Sequence, residues 1–216
     1  MKLKSLLLGL AVIGLSGCST LGEIPERKLA LFRATVLIEH DKGHLTGFLV
    51  DKDRVLTVSN DVPDDGLEIS FFHGEEDQGE VIWRDEGHDL ALVKITVPDR
   101  YKVPRLRCYS PTPKLYYETI GHPISARWVL TGGYFHDLEP VGDRYRVLSY
   151  PLALGMAGAP MYDMWGNMMG IVHAILASRR EGADAQNGEF KDYGYGLMRP
   201  ASGFCDDLKR ALADNA

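Results

Sequence analysis

The chain has 216 residues, 45% of them hydrophobic and 25% charged; 24 Lys and Arg stand against 30 Asp and Glu, for a formal charge of −6. That balance excludes disordered, collagen-like, coiled-coil and multi-span membrane chains. A net-acidic sequence without a basic run also argues against nucleic acid as the partner.

Residues 1–17 read as an export signal. Lys2 and Lys4 precede the apolar run Leu6–Leu15, ten residues that reach only ~15 Å as a helix, half the hydrocarbon thickness of a bilayer. The run ends in Leu15-Ser16-Gly17-Cys18, which resembles the lipobox of bacterial lipoproteins. The resemblance implies cleavage before Cys18, acylation of its thiol and of the new amino terminus, and, with Ser19 following, sorting to the periplasmic side of the outer membrane. Several acyl chains anchor durably where a single one is marginal. The alternative is a plain secretory signal with a chance cysteine. Removing residues 1–17, with Lys2 and Lys4, leaves 199 residues and a charge of −8, enough for one large domain or two small halves with real cores. Cys108 and Cys205 then remain, and in an oxidising compartment they either form a disulfide or are two buried thiols.

Residues 18–33 read as a polar tether without a periodic apolar pattern. From Ala34 the pattern becomes β, with short strand-favouring runs at 35–39, 46–50, 54–58, 67–72, 80–83 and 90–95, separated by Asp- and Gly-bearing turns. A proline-rich stretch between Val97 and Pro113 interrupts them. A second β set follows at 115–120, 127–131, 133–135, 145–150, 168–176 and 193–198, with a polar loop expected over 178–192. Phe204, Leu208, Ala211 and Leu212 lie at helical spacing, so 201–213 reads as a closing helix with Ser202 as its cap. The expected division is a barrel over 34–107, a crossing over 108–118, and a second barrel with the terminal helix over 119–216.

Three dispersed motifs carry a family resemblance. Thr46-Gly-Phe-Leu-Val with Arg54-Val-Leu-Thr-Val-Ser-Asn-Asp-Val62, then His88-Asp89-Leu-Ala-Leu-Val-Lys-Ile95, then Gly155-Met-Ala-Gly-Ala-Pro-Met161 with Trp165-Gly-Asn-Met-Met-Gly-Ile-Val172, fall in the order and spacing of trypsin-like serine peptidases, nearest the HtrA-like branch. Thr119-Ile-Gly-His-Pro123 matches a fourth element, and the similarity covers about residues 34–212. It implies an all-β double barrel of the chymotrypsin fold with a short C-terminal helix. It also assigns the triad positions to Asn60, Asp89 and Ala157. An Asn amide cannot accept a proton near neutral pH, and a methyl cannot attack a carbonyl. Two of the three chemical roles are therefore empty.

Neighbouring groups do not refill those roles. Ser59 and His88 adjoin Asn60 and Asp89 on extended backbone and should face the opposite way. Ser149 lies eight residues before Ala157, outside the nucleophile turn. His173 falls where the family has a small hydroxyl residue beside the aspartate. It is expected either to pair with Asp89 or simply to fill a strand position.

Binding elements survive these losses. The amides from Gly155 through Met156 to Ala157 can donate to an anionic or carbonyl oxygen, and the strand bearing His173 can pair with an extended peptide. Met156, Met161, Met164, Met168 and Met169 suit either a core or an adaptable contact surface, and Met156 or Trp165 could close the groove. No HExxH or CxxC is present, and His40 and His44 do not converge in a strand–turn setting, so no metal is expected. No glycine-rich loop precedes a helix, so no cofactor is expected either. The expectation is a lipid-anchored, inactive peptidase homologue that binds a peptide or protein. Two alternatives remain open: a serine endopeptidase using non-standard residues, and a structural envelope lipoprotein without a specific ligand.

Overall fold

In the computed structural model, which describes residues 24–134, 145–179 and 190–215, the first β set closes on itself. Strands β1 (Thr35–His40), β2 (Gly43–Asp51), β3 (Arg54–Thr57), β4 (Leu67–Ser70), β5 (Glu76–Asp85) and β6 (Leu90–Lys94) form a closed antiparallel barrel in the order β1-β2-β3-β6-β5-β4. Val36 pairs with Gly47 and Ile38 with Leu45. That register sends alternate side chains inward, so Val36, Ile38, Val55, Leu67, Ile69 and Val93 are fully buried.

The second set comprises β7 (Tyr116–Gly121), β8 (Val129–Tyr134), β9 (Arg146–Pro151), β10 (Pro160–Tyr162), β11 (Met168–Arg179) and β12 (Phe190–Pro200), in the order β8-β7-β10-β11-β12-β9. Its two end strands meet through side chains: Ser149 donates to the Tyr134 carbonyl, and Gly133 sits against the Tyr150 ring. The fold is an all-β double barrel. Ile120, Tyr162, Met168 and Ile171 of the second half share one apolar cluster with the first barrel, so the halves are packed together. That shared core holds the loops between them in register.

Several expectations need correction. The tether over 18–33 contains a helix, α1 (Glu26–Ala34), which buries Leu31, Phe32 and Ala34. Its apolar residues run consecutively from Leu29 to Phe32 instead of at helical spacing, and a nine-residue helix depends on tertiary packing for stability. Pro25 before its first turn, Glu26 within it and Arg33 in the last are nonetheless ordinary helix-terminus chemistry. The crossing ends earlier than residue 118, because Tyr116–Glu118 already belong to β7. The runs at 127–131 and 133–135 merge into β8 as far as Tyr134, and Phe135 lies outside the described residues. β10 was missed because three residues carry no periodicity. The loop over 178–192 is narrower at both ends, since β11 continues to Arg179 and β12 begins at Phe190; residues 180–189 lie outside the described residues.

Ser202 does not cap the last helix. It lies in a 3-10 turn (Ala201–Gly203), its hydroxyl is 3.0 Å from that of Ser110, and α2 (Cys205–Asp214) begins after Phe204 without a side-chain cap. Asp206 and Asp207 in the first turn complement the helix dipole instead. Phe204, Leu208 and Ala211 of this end pack into the shared core.

Cys108 and Cys205 are joined by a disulfide, Cα to Cα 5.6 Å, that ties the crossing to the start of α2. The two cysteines are 97 residues apart, so the bond removes much freedom from the unfolded chain. Replacing both by alanine should lower the unfolding free energy by about 3–5 kcal/mol. Urea denaturation of the oxidised protein against the double variant checks this, and coincident midpoints would refute it.

Candidate functional site

A cleft of about 710 Å3 opens where the two halves meet. Four segments line it: the β1–β2 hairpin (His40 to Leu45), the loop after β3 (Asn60 to Pro63), the loop before β10 (Ala153 to Ala157) and the middle of β11 (Val172 to Ala174). Asn60, Gly155, Ala157 and His173, far apart in sequence, therefore come to one surface.

Asp89 organises the floor. It is a non-glycine residue in the left-handed region, at φ 53°, and is 8% exposed. A carboxylate removed from water needs partners. Its Oδ1 accepts from the Ser59 and Asn60 amides at 3.0 and 2.7 Å, and its Oδ2 lies 3.1 Å from His173 Nδ1. That last approach is off the line of a good hydrogen bond, so the contact is mainly electrostatic. The same loop is clamped by a residue that sequence reasoning missed. Arg84 donates to the Ser59 carbonyl and hydroxyl, the Val62 carbonyl and Asp64. Nothing in its own strand marked it, since β5 also carries Glu76, Asp77, Glu80 and Asp85.

His173 is held from its other side as well. Its Nε2 is 3.0 Å from the Tyr145 hydroxyl, which also accepts from Arg199 Nη2 at 2.7 Å. The Arg199 guanidinium stacks over the Tyr145 ring at 4.8 Å. Burial pulls the imidazole below its usual range. Arg199 acts in the same direction, while the Asp89 and Asp61 carboxylates oppose it. One proton arrangement satisfies the chain: Arg199 donates to Tyr145, Tyr145 donates to Nε2, and Nδ1–H faces Asp89. Neither Tyr145 nor Arg199 belongs to a recognisable motif, and the cross-strand neighbours that bring them to His173 are set by sheet register.

The loop from Leu152 to Ala159 is fixed through its carbonyls. Ala153 O accepts from Met156 N, with Gly155 at φ +92° in the position where such a turn demands glycine. Leu154 O accepts from Ile124 N, Gly155 O from the Thr46 hydroxyl, Met156 O from Ala159 N, and Ala157 O from Thr46 N. The carbonyl and N–H of one trans peptide point opposite ways. The Gly155 and Ala157 amides are thus turned away from Ile124 and Ala159, and neither has an acceptor among the described residues. At Gly158 a Cβ would fall 1.9 Å from the Thr46 carbonyl, so the loop must press backbone against backbone there.

Other expected site residues fall elsewhere. Met156, expected as a binding residue, is 2% exposed and packs with Met161, Met169 and Met198 in the second core cluster, away from the cleft. The turn that exposes the Gly155 and Ala157 amides sends the residue between them inward. Trp165 is 62% exposed and does not line the cleft. Ser149 lies on β9 and donates to Tyr134. His88 points away from the cleft: its Nδ1 donates to Asp85 at 2.6 Å and stands 3.6 Å from Asp207. Asp85, His88 and Asp207 cluster closely enough to hold a metal, but the ring is already held between two carboxylates.

Residues 45–171, more than half of the sequence, match the family described as "Trypsin-like peptidase domain". The chain belongs to the trypsin-like peptidase family. Among solved structures it is similar to an inactive serine-to-alanine mutant of Rv3671c from Mycobacterium tuberculosis H37Rv, with 18% identity, 87% of this chain and 90% of that one covered, and a TM-score of 0.68. It is also similar to a serine endoprotease from Yersinia pestis, with 18% identity, 89% and 69% coverage, and a TM-score of 0.69. At such identities these likenesses establish the fold. No curated protein matches by sequence.

His122, at the end of the Thr119–Pro123 motif, supports the cleft from beneath. It is fully buried, its Nδ1 accepts from Trp128 N–H at 3.1 Å, and its carbonyl lies 2.8 Å from His44 Nε2. Burial, above all, lowers its pKa to about 3. Between pH 6.5 and 3 the unfolded chain binds a proton there that the folded one does not. Its contribution is thus complete above about pH 6.5 and is lost on acidification at about 1.4 kcal/mol per pH unit. The wild type should lose about 2 kcal/mol more than His122→Asn, which keeps the acceptor, between pH 6.5 and 5.0. Urea denaturation at the two pH values decides; equal losses would refute it.

Proposed function

We propose that this protein grips a peptide or protein without hydrolysing it, held on the periplasmic side of the outer membrane by lipid on Cys18. The observation that carries this is the pair of amides, Gly155 and Ala157, that have no acceptor among the described residues and lie at an open cleft beside the Ala157 methyl. The donors that stabilise an oxyanion in acyl transfer are in place, while the attacking oxygen is missing.

The proton acceptor is missing too. Asn60 takes the position that resemblance gives to the base, and losing one member of such a unit already costs ~10⁴ or more in turnover. His173 offers no replacement, since Tyr145 holds one ring nitrogen and the other faces Asp89. The nearby serine hydroxyls are occupied: Ser59 accepts from Arg84 and Ser149 donates to Tyr134. No observation favours a working peptidase built from other residues.

The purified protein should neither react with a fluorophosphonate probe nor cleave casein. Asn60→His combined with Ala157→Ser should gain probe labelling, because Asp89 and the amide pair remain. Casein cleavage by the wild type that survives repeated purification would overturn the proposal. For the anchor, intact mass spectrometry of the membrane-extracted protein should show residues 1–17 removed and acyl chains on Cys18. Cys18→Ser should move the protein to the soluble fraction, and an unmodified, soluble wild type would refute lipidation.

A further inference from the structure

We infer that the cleft reads a free peptide C-terminus, with the terminal carboxylate seated on the Gly155 and Ala157 amides. This rests on the non-hydrolytic binder proposed above and names its ligand class.

The donors set the demand. Two amides fixed in direction and without an acceptor among the described residues call for a strong acceptor, and an ionised one forms bonds roughly twice as strong as a neutral carbonyl. Backbone donor pairs of this kind are a recurring means of capturing terminal carboxylates. The loop is also rigid toward its ligand, because the carbonyls of Leu154, Gly155, Met156 and Ala157 are all bonded to protein. Little ordering has to accompany binding.

Shape separates a terminus from a chain that continues. Ala157 presents a methyl where a hydroxyl-bearing side chain would compete with the ligand's second oxygen. On the far side of Gly155 the ring of His44 is fixed by its bond to the His122 carbonyl, so close that a Cβ on Gly155 would lie 2.4 Å from its Nε2. That ring, which lines the same cleft, is taken as the wall that a continuing peptide would meet and a terminal carboxylate would not. Exposed Lys42 and Asp61 both line the cleft, one charge of each sign. Asp89, the nearest buried carboxylate, is already bonded to two amides.

The test uses the mature chain from Cys18 in detergent, labelled with ¹⁵N, and two pools of N-acetylated tetrapeptides that differ only in ending as carboxylate or carboxamide. The carboxylate pool should move the Gly155 and Ala157 amide resonances and bind at least about tenfold more tightly, since a carboxamide offers one acceptor oxygen and no charge. Equal binding of both pools at those resonances, or carboxylate-dependent shifts confined to other residues, would overturn the inference and leave the peptide-binding proposal standing. If neither pool moves any resonance of the cleft, both fall.

Discussion

One buried carboxylate joins the two halves of this molecule at the cleft. Asp89 stands on the first barrel, takes two amides of the loop after β3 on one oxygen, and meets His173 of β11 with the other. A charge so enclosed is tolerable only while these partners stay in place. The position of Asn60, the orientation of His173 and the distance across the cleft all follow from keeping that charge satisfied. The left-handed backbone at Asp89 shows that the chain accepts local strain to deliver it. Asp89 thereby ties the loop after β3 to β11 across the cleft.

The loop around Gly155 is the counterpart on the second half. Thr46 of the first barrel reaches it twice, through its hydroxyl to Gly155 O and its amide to Ala157 O. The donor pair is thus held by a strand from the opposite barrel. Rigidity that serves transition-state binding serves ground-state binding equally well, provided the ligand is an acceptor of the right shape. The turn is stabilised by its own carbonyls, since those of residues 153–157 are all bonded to protein.

Much of this was legible in the primary structure because the family motifs are local. Runs of strand-favouring residues between Asp- and Gly-bearing turns marked most of the strands, and the dispersed motifs grouped Asn60, Asp89 and Ala157 into one site. The misses share a cause. α1 has no apolar periodicity, and β10 is three residues long, so neighbours rather than local pattern make them what they are. Met156 lay inside a recognised motif, yet its side chain turns into the core because flanking peptides must turn out. Arg84, Tyr145 and Arg199 were invisible because nothing in their own segments marks them.

The residue types at the motif positions, then, were decided by the amino-acid sequence alone: Asn60, Asp89 and Ala157 stand where the family resemblance assigns a triad, whatever the chain folds into. The sequence also determined the β character of both halves, since β-branched and aromatic residues fit the pleated surface of a strand and Asp and Gly favour the turns between them. Only the tertiary structure decided that the cleft is open, that Cys108 lies beside Cys205, and that Tyr145 and Arg199 complete the surroundings of His173. Those facts depend on sheet register and on how two barrels pack, quantities set by contacts between residues distant in the chain and carried by no single segment.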